Sequence, residues 1–554
     1  MHVEEPKERS MEQVEKQIVL AQSTIKRNWE AFIRAPFNLA RAQLGRAVEL
    51  LAEARNAHDS ELCRERVQMA SDAALDSYLL ALPSRAAESR GVWYRPKEQS
   101  YEEVCHTMDR MQEAGFNELY LETWFWGYTI YPSLAAESKG VENQHPFFRG
   151  WDPLDAFVKE AGKRGIAVHA WLDGFMVGID ATGGPVLRVF PEWAALSRSQ
   201  SGAEKPLPQQ GTGYFWLDIT NPEVRDYLFQ IMKEIITNYE ISGVNLDFIR
   251  LPQSADDDSG DSYCFSKHAR KAFEQEQGTD PLDIDANEHP EIWQVWTTWL
   301  ENIEDEYVSL LYQELKSLRP NLIVSATPEP GTESEKIGHW SRSVDVVIPQ
   351  AYHASSSEVR ESFELHQRQL VTGNLIYTGI YPMYIGLSAK ETVDQVLAAR
   401  DLDDGTIIFA FGQATSPMIR ALRLGPWRTP AISTGLYPRK AIVVLLEALK
   451  TDVNEVYVPR GGMNDLLASV MIRKLNDIMA ISFDEGNWSS KERDSVAGLL
   501  ITFSTWLGKA NHEDLHVSVQ KQLIQVLSQI HRLLQFAQEK QPSEANQDPY
   551  KTYP

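Results

Sequence analysis

The run GVNLDFIRLP, residues 243–252, reads as a buried strand that ends in chemistry. Gly243 to Leu246 form an apolar strand with one polar interruption, Asn245, and Asp247 falls at its C-terminal end. Side chains alternate along a strand, so Asn245 and Asp247 share one face, which in a closed barrel is the lumen. Arg250 and Pro252 mark the exit into a loop. A carboxylate at the C-terminal end of a parallel strand stands where a barrel presents a nucleophile or base, and a nearby Arg250 is expected to keep it ionised. The plainer alternative is an Asp–Arg pair that only fixes the loop.

Working outward, seven further β-rich runs surround it: GVWYRP (91–96), NELYLETW (117–124), IAVHAWLDG (166–174), LIVSATPEP (322–330), VDVVIPQAY (344–352), LIYTGIYP (375–382) and GTIIFAFG (405–412). Amphipathic helical sequence lies between most of them, at 101–115, 152–165, 221–239 and about 293–318. Alternation of this kind predicts a parallel α/β fold. Eight strands predict a (β/α)8 TIM barrel over 89–425, in preference to an open doubly wound sheet, since no GxGxxG follows a strand. Long insertions follow the second (125–150), third (174–215) and fourth (253–290) strands, all at the face where barrels build their sites.

Both flanks read as helical. Residues 1–88 predict an N-terminal helical hairpin, with Pro36 dividing the segment and HDS (58–60) as a junction. Residues 426–554 predict a C-terminal helical domain whose last fifteen or so residues are polar, Pro-containing and disordered. These helical arms leave room for a homo-oligomer or a protein partner.

Composition narrows the function classes. A formal net charge of -24 sets the chain against nucleic acid and against anionic membrane surfaces. No apolar run approaches the ~20 residues of a membrane span. The charged N-terminus lacks a signal-peptide core, so the chain reads as cytoplasmic as written, or as exported if its start is a trimmed mature form. Three scattered cysteines form neither a disulfide framework nor a metal cluster, and no metal or cofactor is expected. DDD (256–258) with Asp261 lacks the EF-hand order and reads as a solvated loop. His169 and His353 lack a metal-ligand partner and read as core or site-lining residues.

In LIVSATPEP, Ser325, Thr327 and Glu329 share one face, and Pro328 and Pro330 restrain the backbone around Glu329. Two carboxyls on adjacent strand ends are the minimum apparatus for glycoside hydrolysis, so Asp247 and Glu329 are the catalytic pair expected here, with Glu122, Asp173 and Asp218 as other candidate acids. Aromatic residues gather at the strand ends. Trp124, Trp126 and Tyr128 follow the second strand, Trp171 and Phe175 flank the third, Trp216 precedes the fourth helix, Tyr352 ends the sixth strand, and Tyr381 and Tyr384 follow the seventh. Their faces suit the apolar faces of pyranose rings. The expected substrate-binding set is Glu122, Trp124, Trp126, Trp171, Asp173, Asn245, Arg250, Gln350, Tyr352 and Tyr381.

From about Arg90 to Gln413 the chain resembles the family-10-like bacterial glycosyl hydrolases, which include hydrolases of denuded peptidoglycan strands. The resemblance rests on GVWYRP, LYLETW…YPS (119–133), GWDPLDAFVKEAGKRGIAVHAWLDG, YFWLDITNPEVRDYL, GVNLDFIRLP, VDVVIPQAY and GTIIFAFG. It implies a barrel acting on bacterial cell-wall or related amino-sugar polysaccharide, with the strand-four Asp247 as prime catalytic candidate. The chain departs from the family pattern at Asp173, where Asn is usual, at Gln350, where Met is usual, and at Phe248, where relatives often carry a second Asp. The alternative to an enzyme is a catalytically silent barrel that binds glycan or acts as a scaffold.

Overall fold

The structure, a computed structural model, describes residues 10–540 except 180–182, 210, 253–261, 329–337, 371–372, 483–489 and 509–513; the side chains of 482 and 490–493 are also outside the description. Eight strands form its centre: β1 (Ser89–Tyr94), β2 (Glu118–Phe125), β3 (Ala167–Leu172), β4 (Gly243–Leu246), β5 (Ile323–Ala326), β6 (Val346–Val347), β7 (Leu375–Ile380) and β8 (Gly405–Ile408). Each is parallel to the next, and β1 pairs with both β2 and β8, which closes the ring. The eight runs expected from the sequence are these eight strands, and the fold is a TIM barrel with helices on both flanks.

Three N-terminal helices, α1 (Met11–Glu30), α2 (Phe37–Asn56) and α3 (Ser60–Leu80), precede the barrel. The segment expected as a hairpin holds three helices, α1 being divided from α2 at Pro36, whose missing N–H and fixed φ bar a continuous helix. Around the ring lie α4 (Tyr101–Ala114), α5 (Pro153–Lys163), α6 (Pro222–Asn238), α7 (Pro290–Leu318), α8 (Ser356–Gln367), α9 (Ala389–Leu397) and α10 (Ser416–Leu424). Their boundaries follow local chemistry. Ser100 caps the start of α4 and Gly115 ends it at φ 88°, while Asn221 caps α6 ahead of a first-turn Pro222.

Strand alternation sorts the barrel side chains into two cores. Val92, Leu119, Leu121, Val168, Ala170, Val244 and Leu246 face outward and pack beneath the helices. Trp93, Tyr120, Trp171, Ile323, Val346, Ile348, Tyr377 and Ile407 fill the lumen. Large rings fit there because small residues face them: a Cβ on Gly243 would lie 2.2 Å from Nδ1 of His169. The lumen core continues downward into the C-terminal helices α11 (Pro438–Asp452), α12 (Asp465–Ser482), α13 (Ser490–Gly508) and α14 (Val517–Glu539), through Ile442, Leu446, Leu449, Leu523 and Leu527. The boundary expected at 425 divides the elements but not the core. No described helix is long and apolar enough to cross a membrane.

Candidate active site

Three carboxyls converge at the C-terminal mouth of the barrel. Glu122 lies on β2, Asp173 follows β3 and Asp247 follows β4; they are 2%, 1% and 4% exposed. The Asp173 N–H donates to the Trp124 carbonyl and the Asp247 N–H to the Leu172 carbonyl (3.0 Å each), so both residues are held by extensions of the strand ladder. The side chain of Asp247 accepts from the Trp171 indole (3.1 Å) and from the Phe248 N–H (2.9 Å). Glu122 accepts from Nε of Arg95 at 2.7 Å. Oδ1 of Asp173 is buried and has no hydrogen-bond partner among the described residues.

Burial dominates the electrostatics of this cluster, because a carboxylate loses its hydration there. It pushes Asp247 up to about 6, against the pull of Arg250, the Phe248 N–H, the Trp171 indole and Arg95. Glu122 is pushed up to about 7 by burial, opposed by the charge and hydrogen bond of Arg95 and aided by repulsion from Asp247. Burial, and then the charges of Glu122 and Asp247, hold Asp173 well above the usual carboxylate range. Arg250 therefore favours the ionised form of Asp247, as expected, but desolvation outweighs it. Its guanidinium lies 4.5 Å from the Phe248 ring and 5.7 Å from that of Trp216.

Aromatic rings build the wall beside the carboxyls. Tyr352 stacks on Tyr381 (4.8 Å) and against Phe409 (5.9 Å), and Phe409 meets Trp171 edge-on at 6.2 Å. Arg95 lies over Trp171 (5.2 Å) and Phe409 (5.5 Å), with about half of its side chain in solvent. At this mouth Arg95 is exposed, and Gln350, Tyr352, Tyr381 and Phe409 are part-exposed, beside the buried acids.

Residues 86–400 match the family described as Glycosyl hydrolase-like 10. The chain belongs to that family. Among curated proteins it is similar to glycosyl hydrolase DigH of Escherichia coli strain K12, at 22% identity over 40% of this chain and 46% of DigH. It is also similar to glycosyl hydrolase YngK of Bacillus subtilis strain 168, at 22% identity over 46% of this chain and 49% of YngK. The chain spans about half the length of the curated relatives it matches. Among solved structures it is similar to the catalytic domain of a beta-amylase from Paenibacillus polymyxa, with a TM-score of 0.45 and 8% identity over 60% of this chain and 95% of that one.

Within this Glycosyl hydrolase-like 10 barrel, several expected site residues take other places. Trp124 lies behind the sheet. Between Glu122 and Trp124, β2 carries one residue more than β3, so Trp124 comes level with the outward-facing Leu172. Its indole is fully buried against Tyr227 of α6 (6.0 Å) and donates to the Gly174 carbonyl. Asn245 does face the lumen, where it accepts from the Trp93 indole (3.0 Å) and donates to Ser325 (3.0 Å) and Thr327 (2.8 Å). This network crosses the barrel below the acids, so the polar face of β5 holds Asn245. Asp218 accepts from Thr220 and Ser266 in a buried turn. Trp216 and Phe175 are buried, Trp216 donating to Gln209 (2.8 Å) and Phe175 packing edge-on to Tyr307 of α7 (5.3 Å).

His169 sits deep in the lumen, stacked on Tyr120 (4.5 Å) and 3.4 Å from Glu118. Neither of its ring nitrogens has a hydrogen bond among the described residues, and it is a core residue, one of the two places expected for it. Glu329, DDD (256–258), Asp261 and the C-terminal tail lie outside the described residues. Sequence reasoning assigned no role to Arg95 or Phe409. The signal for Arg95 was present, since it is two residues beyond lumen-facing Trp93.

Proposed function

We propose that this protein hydrolyses glycosidic bonds in a bacterial cell-wall or related amino-sugar polysaccharide, with Asp247 as the ionised nucleophile or base and Asp173 as the protonated acid. One observation carries the reading: three buried carboxyls share a barrel mouth, and their surroundings set their proton affinities apart. Such a divergence is how a pair of like groups divides acid and base work. Asp247 receives two hydrogen bonds and the nearby Arg250 charge, which suits a group that must be ionised. Asp173 has an oxygen with no partner among the described residues and is held protonated by burial and neighbouring charge, which suits a proton donor. The two follow adjacent strands, about 4.8 Å apart in a sheet, which is compatible with the ~5–5.5 Å carboxyl separation of retaining glycosidases. Glu122, clamped by Arg95, is a positioning residue that tunes the other two. Family membership and the part-exposed aromatic residues Tyr352, Tyr381 and Phe409 beside the acids support a sugar as substrate.

The test is release of reducing ends from denuded glycan strands and from chitin-, cellulose- and amylose-type oligomers. Asp247→Asn and Asp173→Asn are each expected to lower the rate on the order of 10³-fold. Cleavage that survives Asp173→Asn but is lost in Glu329→Gln would move the acid role to Glu329. Binding of these glycans without cleavage by the wild type would make the barrel a glycan-binding module.

A further inference from the structure

At the rim above Glu122, β2 turns back through Phe125-Trp126-Gly127-Tyr128, and Phe125 pairs with Tyr128 across a two-residue turn. Trp126 has φ 50° and Gly127 φ 79°. Positive φ at both central positions is the type I′ pattern, in which Asn, Asp or Gly is the residue that fits the first position. A tryptophan there is held in a left-handed conformation that its Cβ disfavours. It is not there to be buried, since Trp126 remains 38% exposed, its ring edge-on to Phe125 at 5.5 Å.

The turn is fixed against the insertion after β3. A Cβ on Gly184 would lie 2.9 Å from the Trp126 carbonyl and 2.0 Å from that of Val177. The indole is thus presented on a rigid tip, in a backbone conformation that another residue would adopt with less strain. Backbone strain of this kind concentrates at binding and catalytic sites. Along the chain Trp126 is four residues beyond Glu122, a separation of at most roughly 13 Å, which leaves room for more than one sugar ring between them.

We infer that Trp126 is a distal stacking platform for a sugar ring remote from the cleaved bond, so that the substrate is a long glycan chain and not a short oligosaccharide. This rests on the glycan reading above and specifies the length of the substrate. Indole faces stack on the apolar faces of pyranose rings, and an exposed, pre-positioned ring pays little ordering entropy on binding.

The experiment uses the full chain carrying Asp247→Asn, so that bound sugar is not consumed. Affinities for the N-acetylglucosamine disaccharide and hexasaccharide are measured by calorimetry, with and without Trp126→Asn and Trp126→Tyr. The gain in affinity from disaccharide to hexasaccharide is expected to shrink roughly tenfold in Trp126→Asn and to be largely kept in Trp126→Tyr. The thermal midpoint of Trp126→Asn is expected to equal or exceed that of its parent, because Asn suits the turn. If both sugars bind and the gain is unchanged by Trp126→Asn, the platform is refuted. A lowered midpoint refutes the argument from the strained turn. If neither sugar binds the parent, the amino-sugar reading falls first, and the platform with it.

Discussion

At the residue scale, the cost of keeping Asp173 dry has a measurable consequence. Its proton affinity is higher folded than unfolded, so between the ordinary Asp value and the raised one the native state holds a proton that the unfolded chain has lost. Stability from this group is full at acid pH and declines as pH rises through that interval. Asp173→Asn, an uncharged near-isostere, is therefore expected to melt at a higher temperature than wild type at pH 7, with the difference vanishing near pH 3. Calorimetry across pH checks this, and a wild type that melts higher at pH 7 would contradict the burial argument. Arg95 supports a second prediction. Its charge and hydrogen bond oppose the upward push on Glu122, so Arg95→Gln should leave Glu122 more fully protonated at pH 7, read from its carboxyl infrared band. What the sequence revealed at this scale was position. The lumen direction of Asn245 and Asp247 followed from alternation alone, and Arg250 was legible beside Asp247, whereas Trp171, Arg95 and the neighbouring acids come from strands far away in the chain and could not be read locally. Asn245 and Ser325 look alike as polar interruptions, yet the structure makes them a mutual bond, and Asp247 is the one beside other acids.

At the element scale, periodicity gave the eight strands because each is short, apolar and bounded by helix caps or loops that the sequence states openly. It failed at the bulge in β2, where one extra residue reverses the direction of everything after it. Trp124 went to the wrong side of the sheet for that reason, since nothing in LYLETWFWG marks where the register slips. The last helix shows another limit. Arg532 of α14 pairs with Asp404, a fully buried residue before β8, at 2.9 Å. Removing Arg532 strands a buried charge, so Arg532→Ala should cost about 3 kcal/mol in urea unfolding. Adding Asp404→Asn should restore much of that loss, and no recovery in the double variant would mean the pair is not what holds α14.

At the scale of the whole molecule, the barrel and the C-terminal helices share one core. Trp93, Tyr120 and Ile407 from the lumen belong to the same apolar cluster as Leu446, Val453 and Phe536. A chain ending at residue 425 would expose that floor, and we expect it to be insoluble or to bind a hydrophobic dye strongly, while the full chain does neither. Composition could mark the flank as helical, but not that its apolar face closes the barrel, because two amphipathic surfaces look the same whether they meet each other or a third partner.

That stopper below the ring has a further effect on traffic. Among the described residues the lower end is filled by packed rings and leucines, which leaves the upper mouth as the side open to solvent. On the proposed reading, a ligand seated over Tyr352 and Phe409 would cover that mouth, and the proton that Asp173 holds would pass to the bound molecule.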